Sequence, residues 1–185
     1  GDLTDRKGPF EAVVAFQRAF PTEQNVRLLL KSQYGHFGKT QGVLPVINDP
    51  RVVLINETWT RSQLVSLLWG SDAFVWLSRG EGFGLPPLQA ALTGLPVIMT
   101  THTGMSEYYH PKFFYGVESA GKSRAPLYGS WIEPDVDHAA FLMREVYENR
   151  KAALRKGKQA ASYVRKNFSL EAFARTLGGF LNTLE

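Results

Sequence analysis

Short apolar runs alternate with amphipathic segments along the first hundred residues of the chain. Apolar runs of strand length cover residues 26–30, 52–55, 73–77 and 96–100. Segments whose apolar residues recur at helical spacing cover residues 9–20, 60–69 and 85–93. Strands that are apolar throughout and separated by helices are typical of a parallel sheet covered on both faces. The pattern therefore predicts an α/β fold with a doubly wound, mostly parallel sheet, whose ligands bind at the carboxyl ends of the strands.

The second half of the chain is predicted to be mostly helical after residue 135. A break at Asn167-Phe168 precedes a last helix over residues 169–184, and the side chain of Ser169 can cap that helix. Residues 33–49 are rich in glycine and turn formers, so they are predicted as a loop with a short helix.

Length and composition fit one ordinary globular domain, predicted over residues 1–185. The chain is 44% hydrophobic and 21% charged, which argues against disorder. It contains no cysteine, so disulfides, thiolate metal sites and cysteine nucleophiles are excluded. No apolar run reaches the ~18 residues that a membrane span needs, and the first residues lack the apolar core of a signal peptide. We therefore expect a cytoplasmic location.

Positive charge is concentrated in one part of the chain, although the net charge is only +4. Residues 144–166 carry eight basic side chains against Glu145 and Glu148. Such a stripe is typical of a solvated helix face, and it also suits peripheral attachment to the inner face of a membrane. No nucleic-acid-binding motif accompanies it, so we expect no nucleic-acid partner.

The segment most informative about chemistry follows the third predicted strand and opens a helix. Gly82 and Gly84 allow backbone conformations closed to other residues and permit a ligand to approach the main chain. The free N–H groups near Gly84 and Leu85, together with the helix dipole, form an anion site. Glu81 lies beside them as an acceptor for hydroxyl groups. A diphosphate next to a polyhydroxylated group fits these partners.

The same segment resembles a family signature. Residues 81–86 read Glu-Gly-Phe-Gly-Leu-Pro, and an alanine-rich helix and Gly94-Leu95-Pro96-Val97 follow. The chain is similar here to the C-terminal, donor-binding half of GT-B retaining glycosyltransferases of family 4 (glycosyl transferases group 1). Further matches occur in the same order along the chain, at Lys7-Gly8, Ser71-Asp72-Ala73, Gly104-x-x-Glu107 and Asn167-Phe168-Ser169.

The resemblance implies transfer of a sugar from a nucleotide diphosphate sugar to an acceptor hydroxyl, with retention of configuration. Lys7 and Glu81 would be the catalytic residues, Lys7 on the diphosphate and Glu81 on the hydroxyls of the sugar. Donor binding would fall to the corner of Gly82, the backbone N–H groups of Phe83, Gly84 and Leu85, and the side chains of Arg6, Gln89 and Glu107. Of these, Glu107 is expected to brace the loop more than to perform chemistry.

Two positions depart from the family pattern. Gln89 stands where a glutamate grips the ribose hydroxyls, and an amide lacks the charge that strengthens such hydrogen bonds. Asp2 stands where the family usually carries an arginine about five positions before the lysine, so Arg6 is expected to substitute for it.

The resemblance also implies what lies outside this chain. The acceptor would bind to an N-terminal domain of the same longer chain, and the helix over residues 169–184 would pack toward that domain. The sequence begins immediately after the expected first strand, so it is expected to be a fragment of a longer enzyme. The fragment alone is expected to be inactive, because nothing in it supplies the acceptor site. The family carries no metal requirement, and no Asp-x-Asp motif or histidine cluster argues for one. We therefore expect no cofactor, the nucleotide sugar being a substrate.

Two alternatives remain open at this point. A non-catalytic glycosyltransferase-like module would bind a nucleotide or a partner without transfer, and Gln89 and Asp2 support this interpretation. Another GT-B enzyme, such as a nucleotide-sugar epimerase or a phosphorylase, would share the fold. A role in polysaccharide biosynthesis is an expectation from the family alone.

Overall fold

The computed structural model describes residues 3–32, 48–125 and 129–183. Its strands are β1 Leu28–Ser32, β2 Val52–Asn56, β3 Phe74–Trp76, β4 Val97–Thr100, β5 Tyr115–Val117, β6 Ser119–Arg124 and β7 Ser130–Pro134. Its helices are α1 Pro9–Ala19, α2 Arg61–Trp69, α3 Leu85–Leu92, α4 Val136–Glu148, α5 Arg150–Asn167 and α6 Leu170–Leu181. Short 3-10 turns occur at Asp5–Lys7 and Thr103–Glu107.

Parallel strands flanked by helices confirm the predicted α/β class. Strand β1 pairs with β2, and β4 lies between β3 and β5, with every one of these pairs parallel. Strands β6 and β7 form an antiparallel hairpin. Within the described ranges the parallel strands therefore form two sheets, where the pattern predicted one. Among the described strands β3 pairs with β4 alone, and its residues Phe74, Val75 and Trp76 are half-buried.

Local sequence signals account for where the helices begin. Pro9 occupies the first position of α1, where its missing N–H costs nothing. Thr60 and Gln63 form a reciprocal capping box at α2. Ser169 accepts a hydrogen bond from the N–H of Ala172 and caps α6, as predicted. The loop predicted over residues 33–49 lies almost entirely outside the described residues.

Two apolar clusters fill the layers between sheets and helices. The first joins α1 and α4 to the strands, with Val13, Phe16 and Ile98 among its buried side chains. The second lies between α3, β4 and α5 and contains the fully buried rings of Tyr108 and Phe114. The second cluster supports the segment that follows β4, which carries part of the candidate site.

The basic side chains of residues 144–166 fall into two groups, those that contact other parts of the chain and those that are exposed on α5. Arg144 pairs with Glu23 at 2.6 Å, Arg150 pairs with Asp72, and the Lys156 ammonium lies 4.1 Å from the centre of the Tyr115 ring. Arg144 and Lys156 take part in packing, whereas the Arg150–Asp72 pair lies on the surface, with side chains 62% and 79% exposed. The other five are exposed along α5, namely Lys151, Arg155, Lys158, Arg165 and Lys166.

Helix α6 leaves an apolar face uncovered. Leu170 is 78% exposed, Phe173 62% and Phe180 59%. An exposed apolar stripe is the expected appearance of a helix that packs toward another domain, and the identity of that partner stays a prediction. No helix in the described part of the chain has the length and apolar character to cross a bilayer.

A pair of helical glycines tests the packing of α5. A Cβ at Gly157 would lie 2.2 Å from the carbonyl oxygen of Gly94, whereas a Cβ at Gly178 in α6 would meet nothing within 4 Å. We predict that Gly157→Ala lowers the free energy of unfolding by about 2–3 kcal/mol through overpacking. Gly178→Ala should raise it by about 0.5–1 kcal/mol through helix propensity. Urea denaturation followed by circular dichroism measures both, and equal effects would contradict the close contact.

Candidate functional site

Three segments that are distant in sequence meet at the carboxyl end of β3. The turn Asp5–Lys7 lies against the segment after β3, where the N–H of Arg79 donates to the carbonyl of Arg6 at 2.8 Å. The hydroxyl of Ser78 donates to the same carbonyl at 3.1 Å. Arg79 also pairs with Glu11 and, at 2.7 Å, with Glu133 on the hairpin. These contacts fix the first turn of the chain beside Glu81.

Lys7 and Glu81 form the centre of the site. The Lys7 ammonium lies 2.7 and 2.9 Å from the two carboxylate oxygens of Glu81. The Trp76 indole N–H donates to the same carboxylate at 3.1 Å, and a guanidinium nitrogen of Arg6 lies 3.5 Å from it. The side chains of Lys7 and Glu81 are only 16% and 8% exposed. The structure thus brings together both predicted catalytic residues and Arg6, with Lys7 and Glu81 engaged with each other.

The environment keeps the Glu81 carboxyl ionised at neutral pH. Burial by itself raises the pKa of Glu81. The hydrogen bond and charge of Lys7, with the charge of Arg6, outweigh burial and leave that pKa below its ordinary value of 4.5. Two cations face one carboxylate, so the site has a net positive charge that suits an anionic ligand.

The glycine corner adopts the backbone conformation that the sequence predicts at Gly84. This residue has φ +83°, and a Cβ there would lie 2.7 Å from Met105 and 2.8 Å from the hydroxyl of Tyr108. That hydroxyl donates to the Gly84 carbonyl at 2.7 Å. Only glycine fits here without strain or displacement. At Gly82, by contrast, an added Cβ would meet nothing within 4 Å, so the fold alone does not require glycine there.

Backbone donors stand free at the start of α3. Gly84 is the N-cap, and Pro86 and Pro87 supply no N–H to the first turn. Among the hydrogen bonds of the described residues, none engages the N–H groups of Phe83, Gly84 or Leu85. These donors, at the positive end of the helix dipole, can bind an anion next to Lys7.

The remaining predicted site residues lie outside this cluster. Gln89 is exposed on α3, and Glu107 is exposed at the end of the turn after β4. Neither side chain makes a hydrogen bond or ion pair with another described residue. Asp2 lies outside the described residues.

Two contacts of Glu81 were missed by sequence reasoning. Trp76 precedes Glu81 by five residues at the end of β3, and its indole N–H is a neutral donor to that carboxylate. Thr103 follows β4, and its hydroxyl accepts a hydrogen bond from the N–H of Glu81 at 3.0 Å. A tryptophan at the end of a strand that leads into the site could have indicated the contact between Trp76 and Glu81. The second joins residues 22 apart in sequence and has no local signal.

His102 lies beside Thr103 but adds no charge to the site. Both ring nitrogens are buried without a hydrogen-bond partner in the described residues. Burial lowers the pKa of His102, so the imidazole is neutral. In the part of the chain that the structure describes, no three histidine, aspartate or glutamate side chains gather as metal ligands.

The Lys7–Glu81 pair predicts a specific dependence of stability on pH. We expect Lys7→Met to lower the free energy of unfolding by about 2 kcal/mol at pH 7, because it removes the closest charged partner of a largely buried carboxylate. It should also raise the pKa of Glu81 above its wild-type value, since the hydrogen bond and charge of Lys7 no longer oppose burial. The paired carboxylate stabilises the fold above that pH and loses this effect as the pH falls through its lowered pKa. The destabilisation by Lys7→Met should therefore shrink below pH 4.5.

The measurements are urea denaturation at pH 7 and pH 3.5, with a carboxyl titration of Glu81 by NMR. Arg18→Ala is the control, since the Arg18–Asp137 pair is 2.6 Å long but its side chains are 51% and 81% exposed. That variant should unfold almost as the wild type does. A Lys7→Met effect that stays constant with pH would contradict the ionised pair.

Comparison with solved structures identifies the fold. Sucrose-phosphate synthase (tll1590) from Thermosynechococcus elongatus matches the whole chain with a TM-score of 0.75 at 23% identity, over 44% of its own length. The C-terminal domain of LpcC, a glycosyl transferase group 1 family protein from Francisella tularensis, matches 90% of the chain and 82% of that domain (TM-score 0.73, 16% identity). Anabaena Alr3699/HepE, solved with UDP-glucose, matches 99% of the chain over 47% of its own (TM-score 0.73, 15% identity). The fold is that of GT-B glycosyltransferases.

Sequence comparison identifies the family. The chain is 33% identical over 99 residues to "Putative glycosyltransferase ORF378" of Acidianus filamentous virus 2 (isolate Italy/Pozzuoli). That match spans 53% of the chain and only 25% of the viral protein. The family described as "Family 4 Glycosyltransferase in conflict systems" (GT4-conflict) matches residues 35–177, well over half of the chain. The chain belongs to this family of glycosyltransferases.

Proposed function

We propose that this chain is the donor-binding half of a retaining glycosyltransferase, which moves a sugar from a nucleotide diphosphate sugar to an acceptor hydroxyl. One observation carries the proposal: the buried Lys7–Glu81 pair lies next to free backbone donors at the start of α3. The arrangement offers cations and N–H groups to a diphosphate and a carboxylate to a sugar. The UDP-glucose found with HepE is a ligand of this chemistry.

Lys7 would act by exchanging one anion for another. In the unliganded chain its ammonium binds Glu81, and a diphosphate entering the corner offers more negative charge than one carboxylate. As the bond to the sugar breaks, charge develops on the leaving diphosphate. Lys7 and the N–H groups of Phe83, Gly84 and Leu85 would stabilise that charge, and this is the main contribution expected to lower the barrier.

Glu81 would bind the sugar. Once Lys7 turns to the diphosphate, the carboxylate oxygens become free to accept hydrogen bonds from sugar hydroxyls. Arg6 is 42% exposed and lies close enough to supply a second cation to the phosphates. Gln89 lies one helical turn after Leu85, where it would bind the ribose through a neutral amide.

The acceptor site would belong to another domain of a longer chain. The matched region covers only 25% of the viral relative and less than half of sucrose-phosphate synthase and HepE. A cavity of about 290 Å³ near the hairpin is lined by Asp5, Phe10, Arg79 and Trp131 among others, and not by Lys7 or Glu81. That cavity therefore lies beside the Lys7–Glu81 corner and does not include it, and a second domain, docked on α6, would complete the cleft at this corner. Without that domain we expect no efficient transfer.

The proposal includes a cellular location in the cytoplasm, at the surface of a membrane. The five exposed basic side chains of α5 suit peripheral contact with the anionic inner face of a membrane from the cytoplasmic side. A function in polysaccharide biosynthesis is proposed from the family alone. We expect neither a metal nor another cofactor.

A non-catalytic nucleotide- or partner-binding module is the second candidate. The observation that favours it is the mutual neutralisation of Lys7 and Glu81, together with the uncharged Gln89. A nucleotide-sugar epimerase would bind the same donor and differ only in what happens to the sugar. Absence of nucleotide binding would separate a partner-binding module from the enzymes.

Calorimetric titration with UDP, GDP and ADP tests the proposal. We expect the chain to bind at least one of them, with the same affinity in EDTA as in Mg²⁺. Lys7→Met should weaken that binding by about tenfold or more, because a charge-assisted contact to the diphosphate is lost. Lys112→Met removes an exposed lysine outside the site and serves as the control. Absence of binding to all three nucleotides would favour the non-catalytic module.

A substitution at position 89 is expected to increase the affinity for the nucleotide. Gln89→Glu should strengthen nucleotide binding about five- to thirtyfold, since a carboxylate binds the ribose hydroxyls more strongly than an amide. Gln159→Glu adds the same charge to the exposed face of α5 and should leave the affinity unchanged. A decrease in nucleotide affinity with Gln89→Glu, or equal effects of the two substitutions on that affinity, would exclude ribose binding at position 89.

Arg6 is tested separately from Lys7. We expect Arg6→Ala to weaken nucleotide binding, because the exposed guanidinium is the second cation at the corner. Calorimetry with the nucleotide that binds best to the wild type is the measurement. An unchanged affinity would remove Arg6 from the site.

A further inference from the structure

Thr103 has an unusual backbone conformation at the edge of the site. Its φ is +56°, the single positive value among the non-glycine residues that the structure describes. A β-branched residue is a rare occupant of the left-handed region, where its Cβ crowds the backbone. Such a conformation persists only where surrounding contacts hold it in place.

The contacts of Thr103 converge on the backbone of Glu81. The Thr103 hydroxyl accepts a hydrogen bond from the N–H of Glu81 at 3.0 Å and donates to the carbonyl of His102 at 2.7 Å. The N–H of the next residue, Gly104, donates to the carbonyl of Glu81 at 3.0 Å. Both backbone polar groups of Glu81 are therefore bound by the turn after β4.

These backbone contacts complement the contacts of the Glu81 side chain. In the unliganded chain Lys7 and Trp76 hold the carboxylate. If Lys7 turns to the diphosphate of a bound donor, the carboxylate loses its strongest partner. The bonds from Thr103 and Gly104 do not involve the carboxylate and remain in place. They would then keep Glu81 where its oxygens meet the sugar.

We propose that Thr103 is a positioning residue for the sugar of the donor, acting through Glu81 and not on the reacting atoms. The inference rests on the proposed function, because it requires Glu81 to bind a sugar. The inference assigns the sugar and the nucleotide of the donor to different residues. The hydroxyl of Thr103 is expected to affect binding of the sugar, whereas binding of the nucleotide depends on Lys7 and on the N–H groups of Phe83, Gly84 and Leu85.

The test compares UDP-glucose with UDP by calorimetry, or GDP-mannose with GDP or ADP-glucose with ADP if the wild type prefers those nucleotides. Thr103→Val should weaken binding of the nucleotide sugar about fivefold and change binding of the bare nucleotide less than about twofold. Thr103→Ser keeps the hydroxyl and should restore the wild-type ratio. Thr93→Val is the matched control, since that hydroxyl donates to the Ala90 carbonyl at 2.7 Å at the far end of α3.

Thr103→Gly separates the hydroxyl from the backbone. Glycine enters the left-handed region freely, so this variant keeps the turn and loses only the hydrogen bond. It should discriminate between the nucleotide sugar and the nucleotide as poorly as Thr103→Val does. Amide exchange of Glu81, followed by NMR in the unliganded chain, should accelerate in both variants and stay slow in Thr103→Ser.

The outcomes distinguish this inference from the proposed function. If the wild type binds none of the nucleotide sugars, the proposed function fails and the role of Thr103 fails with it. If the wild type binds but Thr103→Val weakens the nucleotide and the nucleotide sugar equally, or neither of them, only the role of Thr103 is overturned. Unchanged exchange of the Glu81 amide in both variants would overturn it as well.

Discussion

The ion pair between Lys7 and Glu81 is the constraint on which the site depends. Its partners are 74 residues apart and largely buried, so the pair fixes the first turn of the chain to the end of β3. A buried ion pair stabilises a fold only if further hydrogen bonds replace the lost water. Trp76 and Arg6 supply such contacts, and the network of Arg79 holds the same two segments together a few residues away. The geometry of the corner follows from this pairing.

In the unliganded site, Lys7 and Glu81 satisfy each other's charge and hydrogen-bonding groups. An anionic ligand competes with Glu81 for Lys7, and the net positive charge of the cluster favours that competition. In the proposed function, displacement of Glu81 would also affect sugar binding, because it would release the carboxylate to accept hydrogen bonds from the sugar hydroxyls. Binding of the diphosphate and binding of the sugar would thus be coupled through one exchange of partners. This coupling explains how a closed ion pair is compatible with a donor-binding role.

Sequence reasoning succeeded where the signals are local. The helix cap at Ser169 and the glycine corner at Gly84 follow from rules that act within a few residues. The convergence of Lys7 on Glu81 was predicted only through resemblance to a family. Contacts between distant segments were missed, as at Thr103, because its position would suit glycine and nothing nearby marks its hydroxyl as a partner of Glu81. The separation of the parallel strands into two sheets depends on pairing between strands, which apolar runs alone do not determine.

The distribution of buried and exposed groups divides the site into a rigid part and an open part. Lys7, Glu81 and Gly84 are held by contacts within the chain, whereas Gln89 and Glu107 are exposed. Groups that must discriminate between parts of one ligand need a fixed position before the ligand arrives, and buried contacts provide it. Groups that border a cleft gain their environment only when the opposite wall is present. The exposed apolar face of α6 belongs to that second class, and the proposed second domain would cover both this helix and the open part of the site.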